Sequence, residues 1–166
     1  MNTGIAIIGI LVVLISIVPI VLSNRAKRNR EKRLQNEIAA MAKSHGCNLT
    51  HLDVLKDYAV GADESKNFLF FYRHLNGNET KLAVNLVDIQ SCRVVNSSRT
   101  IGGRDSQYVI TDKVALCLSP AVKSNPEIQL EFYNADDSTQ LVGELDLVEK
   151  WAKIINSQLK GMKSTK

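Results

Sequence analysis

Cysteine is too scarce in this chain to form a disulfide framework. The three residues Cys47, Cys92 and Cys117 are widely spaced and odd in number. Small secreted domains instead carry a dense, even set of cysteines. The pattern favours free thiols in a reducing cytosol, and it predicts that Cys92 and Cys117 are small buried apolar residues of strands.

The common catalytic and metal-binding motifs are also missing. The sequence has no Walker phosphate loop, no G-x-S-x-G elbow, no H-E-x-x-H and no C-x-x-C. His45, Cys47 and His51 form an H-x-C-x₃-H cluster, but a structural zinc site needs four ligands and no second Cys/His pair follows at ligand spacing. We therefore predict a protein that is not an enzyme and that has no metal and no cofactor.

An excess of positive charge is absent from most of the chain. Residues 1–45 carry seven basic and two acidic side chains, whereas residues 46–166 carry fourteen basic and fifteen acidic ones. The pI near 9.0 therefore describes the first segment. The remaining residues suffice for one compact domain, and its balanced charge gives no support to nucleic-acid binding.

Residues 4–23 carry no charge at all. They include seven Ile, four Val and three Leu. As a helix they would span about 30 Å, the thickness of the hydrocarbon core of a bilayer. Six cations follow at once: Arg25, Lys27, Arg28, Arg30, Lys32 and Arg33. Because cations flank the cytosolic side of a span, we predict a single-pass helix in the plasma (inner) membrane, with the N-terminus outside, these cations at the membrane surface and the C-terminal domain in the cytosol.

A cleaved signal peptide is the alternative for the same segment. Val21-Leu22-Ser23 offers the small residue that a signal peptidase needs. However, no positive n-region precedes the apolar run, and the run is longer than the usual apolar region of about 7–15 residues. The cations that follow are typical of a stop-transfer signal, so an uncleaved anchor is the preferred interpretation.

A helical pattern continues beyond the apolar segment. Residues 24–44 contain no Pro or Gly, and good helix formers dominate. Leu34, Ile38 and Met41 form one narrow apolar stripe, and Gly46 is suited to end the helix. We predict a basic juxtamembrane helix over 24–46 whose stripe docks on the following domain. A short coiled-coil dimerisation segment is the alternative.

The apolar pattern then changes to a period of two. Ile128, Leu130 and Phe132, for example, alternate with polar or half-polar residues, as in a strand with one buried face. Asn76-Gly77-Asn78 is typical of a hairpin turn, and the glycines near position 102 indicate a long hairpin loop over 101–106. Strands are predicted near 57–61, 67–75, 80–86, 88–97, 108–118 and 127–133, with a short seventh at 140–143. This spacing indicates an antiparallel meander that curls into a sandwich or barrel.

The last element returns to a helical period. Its apolar face consists of Leu147, Val148, Trp151, Ile154, Ile155 and Leu159. Glu144 and Asp146 in the first turn suit the helix macrodipole. We predict that Gly161 ends this amphipathic helix and that residues 161–166 form a flexible tail.

This order of antiparallel strands followed by one helix resembles the pleckstrin-homology-like superfold of bacterial type. The passage from Asn85 to Val94, with Asp88-Ile89 at its centre, is similar to a strand, Asp-Ile, strand connection of that superfold. Trp151 resembles the Trp that pleckstrin-homology domains pack against an open barrel corner. The resemblance implies an α+β fold over 50–160: a six- to seven-stranded antiparallel barrel or sandwich capped by the C-terminal helix, with Trp151, Ile89 and Phe132 as structural residues.

The resemblance also implies a site for phosphoinositide headgroups in the first hairpin loop, where family members carry Lys and Arg. Here that loop is Ala62-Asp63-Glu64-Ser65-Lys66, with two acids and one base. These charges would repel a phosphate about as much as they attract it. Headgroup binding at this loop is therefore not expected.

Together these features predict a membrane-anchored interaction module that binds another protein near the inner leaflet, as a non-catalytic adaptor or assembly factor. The alternative is a domain that binds membrane lipid or a small ligand, and an enzyme ranks third. The expected partners are the bilayer and a protein, with a weaker case for a homodimer through the juxtamembrane helix.

Overall fold

The computed structural model describes residues 3–102, 108–122, 124–137 and 140–164, with side chains from Val21 onward. These residues form an α+β fold with two long helices and seven strands. Helix α1 spans Thr3–Ser44 and helix α2 spans Glu144–Ser164. The strands are β1 His51–Leu55, β2 Tyr58–Asp63, β3 Phe68–Leu75, β4 Asn78–Asn85, β5 Ile89–Ile101, β6 Tyr108–Pro120 and β7 Ile128–Asn134.

The strands form two antiparallel sheets. The four-stranded sheet has the order β1-β2-β3-β4, and the three-stranded sheet has the order β5-β6-β7. A 3₁₀ turn at Leu86–Asp88 leads from the first sheet to the second. Asn76 and Gly77 both have positive φ, at 51° and 82°, which suits the tight β3–β4 hairpin turn that the Asn-Gly pair predicts.

Strand alternation gives the four-stranded sheet two buried faces. Tyr58, Val60 and Phe71 point inward to the core shared with the three-stranded sheet and α2. Their neighbours Phe70 and Tyr72 point outward, and there they meet α1. Since both faces are covered, β2 is buried along its whole length.

The two ends of this sandwich differ in what they face. The near end carries the β1–β2 turn at Lys56 and the β3–β4 turn at Asn76, and it lies beside residues 23–34 of α1. The far end carries Asp63 and the C-terminal end of α1, where Asn48 N donates to Asp63 at 2.7 Å. Helix α2 runs from the near end, where Glu144 pairs with Lys56 at 2.5 Å, to the far end, where Gln158 bonds Asn67.

The α+β class, the antiparallel strands and the C-terminal amphipathic helix are confirmed. The two sheets share no strand pairing and do not close, so the described residues form a sandwich and no barrel.

Strand β1 was not predicted. The predicted strand at 140–143 is wrong, because these residues form no strand and lead directly into α2. Helix α2 does not end at Gly161 but continues to Ser164. Residues 103–106 of the predicted hairpin loop lie outside the described residues.

Helix α1 continues without a break from Thr3 to Ser44, and Gly46 has the positive φ, +66°, that suits its end. In the part of the chain that the structure describes, neither helix is both long and apolar enough to cross a membrane. For most of the predicted span, residues 4–20, only the helical backbone is described, so the membrane span stays a prediction.

Candidate interaction surfaces

The six predicted membrane-surface cations lie together on one exposed stretch of α1: Arg25, Lys27, Arg28, Arg30, Lys32 and Arg33. Within the part of the chain that the structure describes, only Arg33 of these six forms an ion pair, with Glu79 at 3.5 Å. The remaining cations face solvent, as a surface that meets anionic headgroups requires.

The next turns of α1 dock on the domain. Leu34, Ile38 and Ala42 are buried, and Met41 is half-buried beside them. Their partners on the outer face of the four-stranded sheet include Ala59, Phe70 and Tyr72. The prediction that this stripe docks on the domain is therefore confirmed. Because the stripe is buried within the chain, it is not free to form a coiled-coil seam.

Polar contacts flank this interface between α1 and the four-stranded sheet. Lys81 reaches Glu37 at 3.1 Å, and Lys66 donates to the carbonyl oxygen of Gly46 at the end of the helix. Tyr72 donates a hydrogen bond to Glu79 at 3.0 Å, and this bond, together with Lys81, holds the pKa of Glu79 below its ordinary value. Apolar and polar contacts thus fix the domain to α1 over about three helical turns.

This docking sets the distance between the domain and the predicted span. Ser23 ends the uncharged segment, and Leu34 is the first buried residue that follows it. The eleven helical steps between them rise about 16 Å. If residues 4–23 cross a bilayer, the near end of the sandwich is held within about three helical turns of its surface.

An open groove of about 900 Å³ runs beside α2 at the far end. Val87, Ile154 and Met162 give it an apolar lining, and Glu64 and Lys153 add one charge of each sign. Val87 is 58% exposed although it is apolar. Wide, open surfaces with exposed apolar side chains are common at sites where proteins bind a segment of another chain.

A second groove of about 570 Å³ lies at the near end. Val54 and Leu55 of β1 line one side, and Ala26 and Arg30 of α1 line the other. Val142, which precedes α2 and is 53% exposed, completes it. Lys27, Glu31 and Lys56 also line this groove, so it combines apolar side chains with an excess of cations, a combination that is complementary to an acyl chain with an anionic headgroup.

The charged side chains Asp63 and Lys66 of the loop at 62–66 form hydrogen bonds within the domain. Asp63 is buried and accepts bonds from Ser65 Oγ at 2.6 Å and from Asn48 N at 2.7 Å. These bonds hold the pKa of its carboxyl below the ordinary value. Lys66, the one cation of the loop, is bonded to Gly46, so the loop offers a phosphate no free cation.

His45, Cys47 and His51 make separate contacts. His45 Nδ1 lies 3.0 Å from the Met41 carbonyl, and His51 Nε2 lies 2.9 Å from Glu64. Among the described residues, no group of three potential ligands is placed to hold a metal ion. All three cysteines are free and buried, and burial raises the pKa of Cys92 to about 12.

Trp151, Ile89 and Phe132 all lie in the core. Trp151 is fully buried, and its Nε1 donates to Asp53 Oδ2 at 2.9 Å. Asp53 belongs to β1, which the sequence did not reveal. The pattern around it, His-Leu-Asp-Val-Leu, alternates over too few residues to identify a strand.

Sequence reasoning also missed an ion cluster at the near end. Arg73, only 11% exposed, pairs with Glu131 at 2.9 Å, with Asp137 at 3.3 Å and with Asp57 at 3.4 Å. Lys113 adds a second cation on Glu131 at 3.0 Å. Burial alone would raise the pKa of Glu131, but the bonds from Lys113 and Arg73 outweigh it and lower the pKa. No local signal links residues so far apart in sequence.

Comparisons of this chain with protein-family models, with curated proteins and with solved structures gave no match. The likeness to the pleckstrin-homology-like superfold thus stays a prediction.

Proposed function

We propose that this protein is a single-pass, membrane-anchored module that faces the cytosol and binds another protein near the inner leaflet, as a non-catalytic adaptor or assembly factor. One observation carries the proposal. Helix α1 runs unbroken from the apolar segment into a buried position on the domain. The domain therefore has a fixed distance from whatever surface residues 4–23 enter.

The charge of α1 supports the membrane part of the proposal. The uncharged segment precedes an exposed cluster of cations, and Glu31 is the one acid within it. Cations just beyond a span hold that side of the chain in the cytosol, and each contributes about 1 kcal/mol of attraction near an anionic leaflet. An anchor and an electrostatic contact would thus act on the same leaflet.

The groove at the far end supports protein binding. It opens on the end of the sandwich that faces away from Ser23, so an anchored domain would present it to the cytosol. Its lining of Val87, Ile154 and Met162 suits the apolar side of a helix or strand. Glu64 and Lys153 would select a partner segment with charges of both signs beside its apolar residues.

The near-end groove favours a second candidate, the binding of a membrane lipid. Its apolar residues and Arg30 lie beside Ser23, where a lipid of the inner leaflet would be found. In this alternative the far-end groove plays no part.

Photo-crosslinking in intact cells distinguishes the two candidates. A crosslinking amino acid replaces Val87 in the far-end groove or Val142 in the near-end groove; these valines are 58% and 53% exposed. Gln35, exposed on α1, is the background control. We expect a discrete protein adduct from position 87 only. A lipid adduct from position 142, with no protein adduct from 87, would support the lipid binder instead.

A further inference from the structure

The far-end groove is formed by one face of α2 and by two turns beside it. Ile154, Gln158 and Met162 follow one another at a spacing of four residues, so they lie on the same face of α2. The other wall consists of the 3₁₀ turn and the β2–β3 turn. Gln158 Nε2 donates to Asn67 Oδ1 at 2.9 Å, and Leu86 N donates to the Asn67 carbonyl at 2.7 Å. These bonds join the two walls, so the groove is formed before a partner binds.

The groove offers no strand edge to which an extended segment could add. None of the described residues that line it lies in a strand, because all of them belong to α2, to the 3₁₀ turn or to the β2–β3 turn. A bound peptide strand needs an unpaired strand edge, since its N–H and C=O groups otherwise lose their hydrogen bonds to water. A helix satisfies these groups within itself. The groove therefore favours a helix over an extended segment.

Gly161 leaves a hole in the α2 wall of the groove. A Cβ atom built at this residue would meet no side chain, and no backbone outside its own helical turn, within 4 Å. Packing within the domain therefore does not require glycine here, although glycine lowers helix stability relative to alanine. On the surface of α2, Gly161 adjoins Ser157 and Gln158 of the preceding turn. The space that these positions enclose is open to a side chain of a second helix.

The charges of the groove indicate the chemistry of the bound segment. Lys153 is exposed at one end of the groove and has no ion-pair partner among the residues that the structure describes. Glu64, by contrast, lies 2.9 Å from His51 Nε2. From Lys153 to Met162 α2 rises about 14 Å, or about two and a half turns. A helix of this length with apolar residues on one face and an acidic residue beside Lys153 would complement the groove.

We propose that the far-end groove binds an amphipathic helix of the partner protein. This inference rests on the proposed function and narrows it to one structure and one chemistry of the bound segment. An apolar side chain of the partner helix occupies the hole at Gly161, and those one turn away contact Ile154 and Val87. An acidic residue of the same helix pairs with Lys153. The partner thus packs against α2 at the end of the sandwich that faces away from Ser23.

Photo-crosslinking of the full chain in intact cells tests the structure of the bound segment. A crosslinking amino acid replaces Val87, or a diazirine analogue of lysine replaces Lys153, with Gln35 as the background control. Mass spectrometry then identifies the crosslinked residues of the partner. We expect the residues reached from either position to be three, four or seven apart in the partner sequence, as on one face of a helix. A spacing of two, or no regular spacing, would overturn the helix and leave protein binding at the groove intact.

Filling the hole at Gly161 gives a second measurement. Gly161→Phe should reduce the adduct from position 87 at least tenfold, whereas Gly161→Ala should keep it, because a methyl group fits the open space. Lys160→Phe is the matched control, since it adds the same side chain one position away, on the side of α2 that faces Val94 of β5. Both positions are exposed, so both phenylalanine variants should keep the melting temperature of the unsubstituted chain.

The outcomes separate this inference from the proposed function. An adduct that survives Gly161→Phe, or that Lys160→Phe removes equally, would overturn the helix in the hole while protein binding stands. If neither position 87 nor position 153 gives a protein adduct in the otherwise unsubstituted chain, protein binding at the groove fails, and the bound helix fails with it.

Discussion

The indole Nε1 of Trp151 donates a hydrogen bond of 2.9 Å to Oδ2 of Asp53, and the neighbouring Lys150 pairs with the same carboxylate at 2.7 Å. This contact joins α2 to β1, the edge strand of the four-stranded sheet. Farther along α2, Asn156 bonds the backbone of Cys92 in β5, the edge strand of the other sheet. Helix α2 therefore bridges the two open edges of the sandwich, and Trp151 fills the space between them.

Trp151→Ala is expected to reduce the free energy of unfolding by about 3–5 kcal/mol, because it removes a fully buried indole and leaves a cavity. Thermal and denaturant melts of the chain from residue 24 onward measure this change. An unchanged midpoint would show that the indole does not pack as described.

Asp53→Ala tests the polar half of the same contact. It leaves the buried indole N–H without its acceptor, which costs about 1–3 kcal/mol. The exposed neighbour Leu52→Ala is the control and should change the midpoint little. Equal effects at the two positions would argue that β1 as a whole, and not the Trp151 bond, is responsible.

Much of this arrangement was predictable, because local patterns encode it. The period of the apolar residues in α2 places Trp151 on its buried face, and the stripe at Leu34 and Ile38 identifies the docking face of α1. The Asn76-Gly77 pair specifies a hairpin turn through its positive φ angles. In each case neighbouring residues alone determine the outcome.

The errors arise where distant contacts decide. Strand β1 exists because β2 supplies its hydrogen-bond partners, and its own five residues carry too short a pattern. Helix α2 passes Gly161 because the contacts of its final turns, such as Lys163 with Gln90, outweigh the modest penalty of an internal glycine. The Arg73 cluster joins β3 to residues more than fifty positions away, which no local pattern encodes.

The domain is expected to need the second half of α1 for its stability. Ile38 is fully buried against the outer face of the four-stranded sheet, so Ile38→Ala should cost about 2–5 kcal/mol. The exposed neighbour Asn36→Ala should cost little. Denaturant melts of both variants, in a chain that begins at Asn24, measure the difference.

A chain that begins at Gly46, and therefore lacks α1, gives a second test of the packing of α1 on the four-stranded sheet. It would expose Phe70 and Tyr72, so we expect it to aggregate or to unfold at a much lower temperature than the chain from Asn24. A shorter chain that melts at the same temperature would show that α1 is a spacer without a structural role.

The Arg73 cluster predicts a loss of stability in acid. The pKa of Glu131 is lowered in the folded protein, so the carboxylate contributes stability above its ordinary pKa of 4.5. That contribution is lost as the pH falls below 4.5 through the lowered value. Melting temperatures measured from pH 7 down to pH 3 should therefore fall less steeply at the acid end for Glu131→Gln than for the unsubstituted chain.

The control for this pH series is Glu127→Gln, because Glu127 forms a more exposed pair with Arg93. A surface pair of this kind contributes little to stability, so this variant should keep the acid slope of the unsubstituted protein. If both variants reduce the fall of the melting temperature in acid by the same amount, the cause is the general loss of negative charge and not the Arg73 cluster.

The cations after residue 23 are expected to set the orientation of the chain in the membrane. A reporter fused after Lys166 should be active only in a cytosolic assay, because the Lys/Arg excess lies wholly on the C-terminal side of the predicted span.

Replacing Arg25, Lys27, Arg28, Arg30, Lys32 and Arg33 with Gln should give a mixed orientation. These side chains are exposed and lie before the buried stripe, and the one ion pair that the structure describes for them, Arg33 with Glu79, is exposed and long, so the melting temperature of the domain should change little. The matched control neutralises Lys153 and Lys160, which are exposed on α2 and too distant along the chain to influence insertion. If the variant without the six cations keeps a single orientation, the cations after the span do not determine the orientation of the chain. A mixed orientation in the Lys153 and Lys160 control would lead to the same conclusion.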